Sequence, residues 1–186
     1  MDLAVHGNEA TWNRRWAWSR PTSLAATLYV AAVLAANATA EEFIGLPIFG
    51  LVSIGTLFFG VTFTQRDRVH RAGRPAVYAM IGATACLAAL QSVFLGVSWR
   101  IIFASVLAIL LAEAADTEVF HRLRGYGWYR RVAGSNAVSI PLDSIIFTVV
   151  AFAGIFSAYT IAEIVWGDIV AKGAVGALAA LWRGRG

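Results

Sequence analysis

The sequence predicts an all-α fold: a polytopic membrane protein, a bundle of six transmembrane helices with both termini cytoplasmic. Three observations lead there. Hydrophobic residues make up 59% of the 186 and charged residues only 14%, against about 25% charged in an ordinary globular protein, and the mean hydropathy is +0.67. Six apolar runs are each about long enough to cross the hydrocarbon core of a bilayer. Finally, thirteen of the fifteen basic residues gather on one face if the chain crosses six times, and the positive-inside bias assigns that face to the cytoplasm.

The elements follow in order. Residues 1–21 form a cytoplasmic or interfacial segment in which Trp12, Trp16 and Trp18 sit beside Arg14, Arg15 and Arg20, as suits the headgroup level. This segment and the run after it, ending in Ala36-Asn37-Ala38-Thr39-Ala40, also have the outline of a secretory signal peptide. Cleavage there would leave five spans with the basic loops awkwardly oriented, so the run is read as span one, about Thr22–Ala40. Span two is about Phe43–Phe63; with several glycines and Pro47 it is the one expected to be broken or re-entrant. Arg66, Arg68, Arg71 and Arg74 separate it from span three, about Ala76–Gly96. Span four is about Trp99–Phe120. Arg122, Arg124, Arg130 and Arg131 precede span five, about Val138–Tyr159. Span six is about Ile161–Trp182, followed by a cytoplasmic tail, 183–186. No linker or low-complexity segment divides the chain, so 22–182 reads as one transmembrane domain.

Composition and motifs exclude several functions. A pI near 9.7 would suit nucleic acid, but the arginines are confined to short segments between apolar runs. The single cysteine, Cys86, allows no intrachain disulfide, and His6, His70 and His121 are too scattered for a metal site. No metal and no cofactor are expected. Glu41-Glu42 lacks the arginine and partner histidines of a membrane metalloprotease, and Gly167-Asp168 lacks the full Gly-x-Gly-Asp of an intramembrane aspartyl protease. No serine–histidine pair, phosphate-cradling loop or lipid-transferase aspartate motif is present. The chain is expected not to be an enzyme.

Functional candidates are the ionisable residues within apolar runs. Each costs about 2.5–3.5 kcal/mol at the middle of a membrane helix on insertion scales, so such groups face a bundle interior or a wet cavity. Glu113 and Asp116 are three apart and share a helix face. Counted from Phe120, Glu113 lies about 10 Å inward at ~1.5 Å per residue. Asp143 is expected one to two turns into span five, entering from the same side, with Pro141 close by to kink the helix. Asp168 and Lys172 are four apart in span six. Lys172 is a counter-ion for one of these carboxylates; pairing with Asp168, Glu113 or Asp116 stays open. Glu118 reads as a headgroup-level residue. Asn37, Gln91, Asn136 and Ser139 are candidates to line a cavity, or to glue helices together. Phe58, Phe59 and Phe63 are candidates to stack on a flat ligand.

The stretch Ala112-Glu113-Ala114-Ala115-Asp116-Thr117-Glu118-Val119-Phe120, the basic loop after it, and Ser135-Asn136-Ala137-Val138-Ser139-Ile140-Pro141-Leu142-Asp143-Ser144-Ile145-Ile146-Phe147 resemble the queuosine precursor transporter family, also called the vitamin-uptake-transporter-like family. Thr62 through Arg74 is similar to that family's segment after its second span, and Asp168 through Lys172 to its late aspartate-to-lysine element. The resemblance runs from about Gly50 to Leu181; the chain departs from it in short loops and a glycine- and alanine-rich last helix. It implies six membrane helices and a transporter of the cell inner membrane that imports a 7-deazaguanine, the 7-cyano or 7-aminomethyl form, for tRNA modification. A carboxylate accepts two side-by-side donors of a guanine-like edge. The expected substrate site is therefore Glu113, Asp116, Asp143, Lys172, Asn136, Ser139 and Phe59, with Asp116, Asp143 and Asp168 as proton-coupling candidates. The expected partners are the purine-like substrate and the lipid bilayer, with no nucleic acid; a homo-oligomer is compatible with this. Two alternatives remain: a substrate-binding membrane subunit of an ATP-driven uptake system, and an intramembrane hydrolase.

Overall fold

The computed structural model describes residues 19–183, apart from residue 48. The expected interfacial segment with Trp12, Trp16 and Trp18, the residues Arg14, Arg15 and His6, and Arg185 in the tail lie outside the described residues. Six α-helices are present among those described: α1 Arg20–Ala38, α2 Phe59–Val69, α3 Arg74–Leu95, α4 Trp99–Arg122, α5 Trp128–Phe152 and α6 Ala158–Arg183. Ser19 begins α1 by accepting the Thr22 amide at 3.3 Å, and Ser157 begins α6 by accepting that of Thr160 at 3.1 Å. Such caps satisfy amides that the first turn leaves open.

Polarity is inverted relative to a water-soluble domain. Arg66, Glu113, Asp116, Asp168 and Lys172 are buried, whereas Val93, Phe94 and Leu95 at the end of α3 are 76%, 77% and 72% exposed. A bundle surrounded by hydrocarbon has this arrangement, because lipid rewards no burial of apolar side chains and penalises exposed charge. Among the described residues two helices, α3 and α5, are long and apolar enough to cross a membrane by length and composition alone. Helices α4 and α6 reach the same length and carry Glu113, Asp116, Asp168 and Lys172.

The second expected span is not a helix throughout. It opens as an antiparallel hairpin, β1 Phe43–Leu46 with β2 Gly50–Ser53, in which Phe43 pairs with Ser53 and Leu46 with Gly50. A short 3-10 turn, Ile54–Phe58, leads from it into the 11-residue α2. The sequence accounts for this. Pro47 disfavours a continuous helix, and Gly50 takes φ +79°, a backbone that side chains resist. The hairpin then lies against α6 at Gly167, where a Cβ would come within 2.5 Å of the Leu51 carbonyl oxygen. The fold is thus all-α with one small hairpin.

The fifth span also differs. Helix α5 begins at Trp128, ten residues before the expected start, and ends at Phe152. Arg130 and Arg131 are helical rather than in a loop. Asp143 consequently sits about four turns into the helix, deeper than one to two. Pro141 lies inside α5 and removes one of its backbone donors.

The basic segments between α2 and α3 and between α4 and α5 come together at one end of the bundle. There Arg74 pairs with Glu118 at 3.0 Å, His70 stacks near Phe120 at 5.6 Å, and Arg131 lies 3.9 Å over the Phe120 ring. At the other end, beside the hairpin, Phe43 meets Phe152 edge-on at 5.6 Å. Arg100, the one basic residue there among those described, donates to the carbonyl oxygens of Val150, at 2.9 Å, and Ala153. It closes the carbonyl end of α5, where a cation suits the helix dipole.

Candidate functional site

Two cations organise the buried charge. Arg66, one turn before the end of α2, places Nη1 3.1 Å from Glu113 Oε2 and Nη2 3.3 Å from Asp116 Oδ2. The i, i+3 spacing of the carboxylates puts both within one guanidinium's planar fork. Tyr29 of α1 donates to Glu113 at 3.2 Å, and Ser139 of α5 donates to Asp116 at 3.0 Å. Helices α1, α2, α4 and α5 are thereby joined through one charged knot.

The second cation is Lys172 of α6. Its ammonium lies 2.5 Å from Asp143 Oδ2 and also pairs with Asp168, and Ser144 is 3.4 Å away. Thr56, in the 3-10 turn, donates to the other oxygen of Asp168. The ammonium also sits 3.9 Å over the Phe59 ring, a cation–π contact that desolvation strengthens. Of the pairings left open for Lys172, the structure selects Asp168 and adds Asp143; Glu113 and Asp116 go to Arg66. Each cation therefore faces two carboxylates. With all six groups ionised, the two knots together carry two more negative charges than positive ones.

Between the knots and the hairpin end lies a cavity with about 710 Å³ of atom-free space, counting the part open to its surroundings. Glu113, Asp143, Asp168 and Lys172 line its charged floor; Tyr29, Phe59 and Phe147 supply aromatic wall, and Asn37 and Thr148 lie toward the hairpin. Asp116 is not part of the lining and sits behind Glu113 on Arg66. Ser139 faces a small recess beneath the floor, with Phe63 and Arg66. Asn136 faces elsewhere, into an apolar groove between α5 and α6 beside Gly173 and Gly176. Phe59 has one ring face taken by Lys172. Gln91 donates to the Leu34 carbonyl oxygen at 2.7 Å and joins α3 to α1.

Sequence reasoning passed over Arg66, which it used only as a topological marker. Its signal was stoichiometric: four buried carboxylates against one lysine demand a second cation, and Arg66 is the first base after span two. Tyr29 and Thr148 gave no comparable signal, since lone hydroxyls in apolar runs are common.

A family model described as "Putative vitamin uptake transporter" matches residues 21–183. No curated protein and no solved structure matches the chain. The inverted polarity, the apolar helices and a match over nearly the whole length agree: the chain is a membrane transporter and belongs to the putative vitamin uptake transporter family.

Proposed function

We propose that the chain imports a queuosine precursor, a 7-deazaguanine, across the cell inner membrane, with its basic end and both termini in the cytoplasm. The observation that carries this reading is the floor of the central cavity, where Glu113 and Asp143 stand beside aromatic wall. A deazaguanine offers a ring N–H and an exocyclic amine side by side, and a carboxylate accepts both. Asp143 and Glu113 are the ligand-facing pair in this reading. Asp116 and Asp168 hold Arg66 and Lys172 in place. The surplus carboxylate in each knot gives a coupling proton somewhere to bind, with Asp116, Asp143 and Asp168 as carriers. Arginines concentrated at one end support the orientation.

Purified protein in liposomes tests this directly. Uptake of 7-cyano-7-deazaguanine, driven downhill or by a proton gradient, is expected, and Asp143→Asn or Glu113→Gln is expected to reduce it at least tenfold while the protein stays folded. Tight binding without flux would point instead to a capture subunit needing an ATP-driven partner.

A further inference from the structure

The floor of the cavity is charged, but its hairpin end is not. Two polar groups stand there without a hydrogen-bond partner: the Asn37 side-chain amide nitrogen and the Thr148 hydroxyl. Both residues line the cavity, and they are only 6% and 1% exposed. A buried polar group left open in an apolar setting is disfavoured unless something binds it. Around them Ala36, Ala40, Phe147 and Phe152 are apolar, and the Ser53 hydroxyl at this end donates to the Thr39 and Ala40 carbonyl oxygens, at 3.3 and 3.1 Å. Charged lining residues among those described, Glu113, Asp143, Asp168 and Lys172, all belong to the floor.

Helix geometry sets the spacing. Thr148 is five residues beyond Asp143 on α5, a rise of about 7–8 Å, and Asn37 is eight beyond Tyr29 on α1, about 12 Å. A fused two-ring molecule with a short substituent fits that separation. With its donor edge on the floor carboxylates, its far end meets Asn37 and Thr148. Both open groups can donate, and none of the carboxylates that line the cavity lies at this end to neutralise a cation.

We propose that Asn37 and Thr148 form a second, uncharged anchor in the cavity, which donates hydrogen bonds to an acceptor group at the far end of the ligand. This rests on the reading of the cavity as the transport site. In a 7-deazaguanine the substituent on the five-membered ring projects sideways from the far ring, roughly at right angles to the donor edge, and a nitrile there is the acceptor that extends to the anchor.

The test compares two probes, 7-cyano-7-deazaguanine and unsubstituted 7-deazaguanine, by calorimetry on the purified full chain. The native protein is expected to prefer the nitrile by about threefold to tenfold, the effect of one neutral hydrogen bond. Asn37→Leu with Thr148→Val is expected to bind both probes equally within about twofold and to keep its affinity for the unsubstituted ring. If the double variant does not fold, Thr148→Val alone, which replaces a hydroxyl with a methyl of the same shape, carries the comparison and halves or better the preference. A purely structural role would instead weaken both probes in parallel and overturn the anchor. A preference unchanged in the variants, or absent from the native protein, also overturns it while leaving the transport site intact. Failure of the native protein to bind either probe overturns the transport-site reading, and the anchor falls with it.

Discussion

Arg66 shows what a single side chain contributes here. Its two nitrogens hold carboxylates one helical turn apart, at 3.1 and 3.3 Å, a task the point charge of lysine does less well. Arg66→Met leaves Glu113 and Asp116 buried without a cation, and removing one partner from a buried pair costs about 3–5 kcal/mol. A large fall in the thermal midpoint in detergent is expected, with substantial recovery when Glu113→Gln and Asp116→Asn are added. His70 gives a different readout. Burial, and then the neighbouring Arg66 guanidinium, push its imidazole from 6.5 down to about 4. In the unfolded chain it protonates near 6.5, so stability is complete above that pH and drains away as pH falls toward 4. The full loss amounts to about 3 kcal/mol. Thermal unfolding of His70→Asn between pH 7 and 4.5 should show a flatter acid limb than the native protein. The sequence disclosed the buried carboxylates because charge in an apolar run is conspicuous. It hid Arg66 because an arginine at a span end has an adequate explanation in topology. Asn37 was legible as a cavity-lining candidate, whereas Thr148 was not, because an unpartnered hydroxyl is a property of packing.

Among the elements, the hairpin occupies the span that glycines and Pro47 mark in the sequence as broken or re-entrant; what helix-length reasoning missed is that the break takes the form of paired strands. An apolar run of twenty residues fits a helix by hydropathy alone; what breaks it is the local demand of Pro47 and of Gly50 at φ +79°. The hairpin's position depends on Gly167, since any side chain there would collide with the carbonyl oxygens of Leu51 and Phe49 at 2.5 and 2.7 Å. Those atoms are backbone and cannot swing aside. Gly167→Val is therefore expected to displace the hairpin together with Thr56, which follows it and bonds Asp168. Uptake should fall several-fold, and the thermal midpoint should fall with it. The early start of α5 escaped notice for a related reason. Arg130 and Arg131 look like loop residues to an apolarity scan, yet a helix tolerates them wherever its first turns emerge from the hydrocarbon.

At the scale of the whole molecule, the alternation of arginine-rich and arginine-poor connections was the most legible feature, because it sums over many residues and survives errors at any one boundary. The contacts Arg74–Glu118 and His70–Phe120 gather those connections at one end. Orientation is then open to labelling. In a Cys86→Ser background, Gly125→Cys should react with a membrane-impermeant maleimide only in inverted vesicles, and Ile155→Cys only from the outside of intact cells. The opposite pattern would overturn the orientation argued above.

The one-for-one pairing of a neutral interior does not hold in this bundle: two cations, Arg66 and Lys172, stand against four acids. With all four acids ionised, an unoccupied carrier that changes its facing drags this surplus through the electric field, and a full elementary charge crossing 100 mV is worth about 2.3 kcal/mol. Voltage would thus govern how quickly the empty protein resets. Net uptake should respond to a potassium diffusion potential, whereas one-for-one exchange of ligand, in which the protein never returns empty, should be far less sensitive to it.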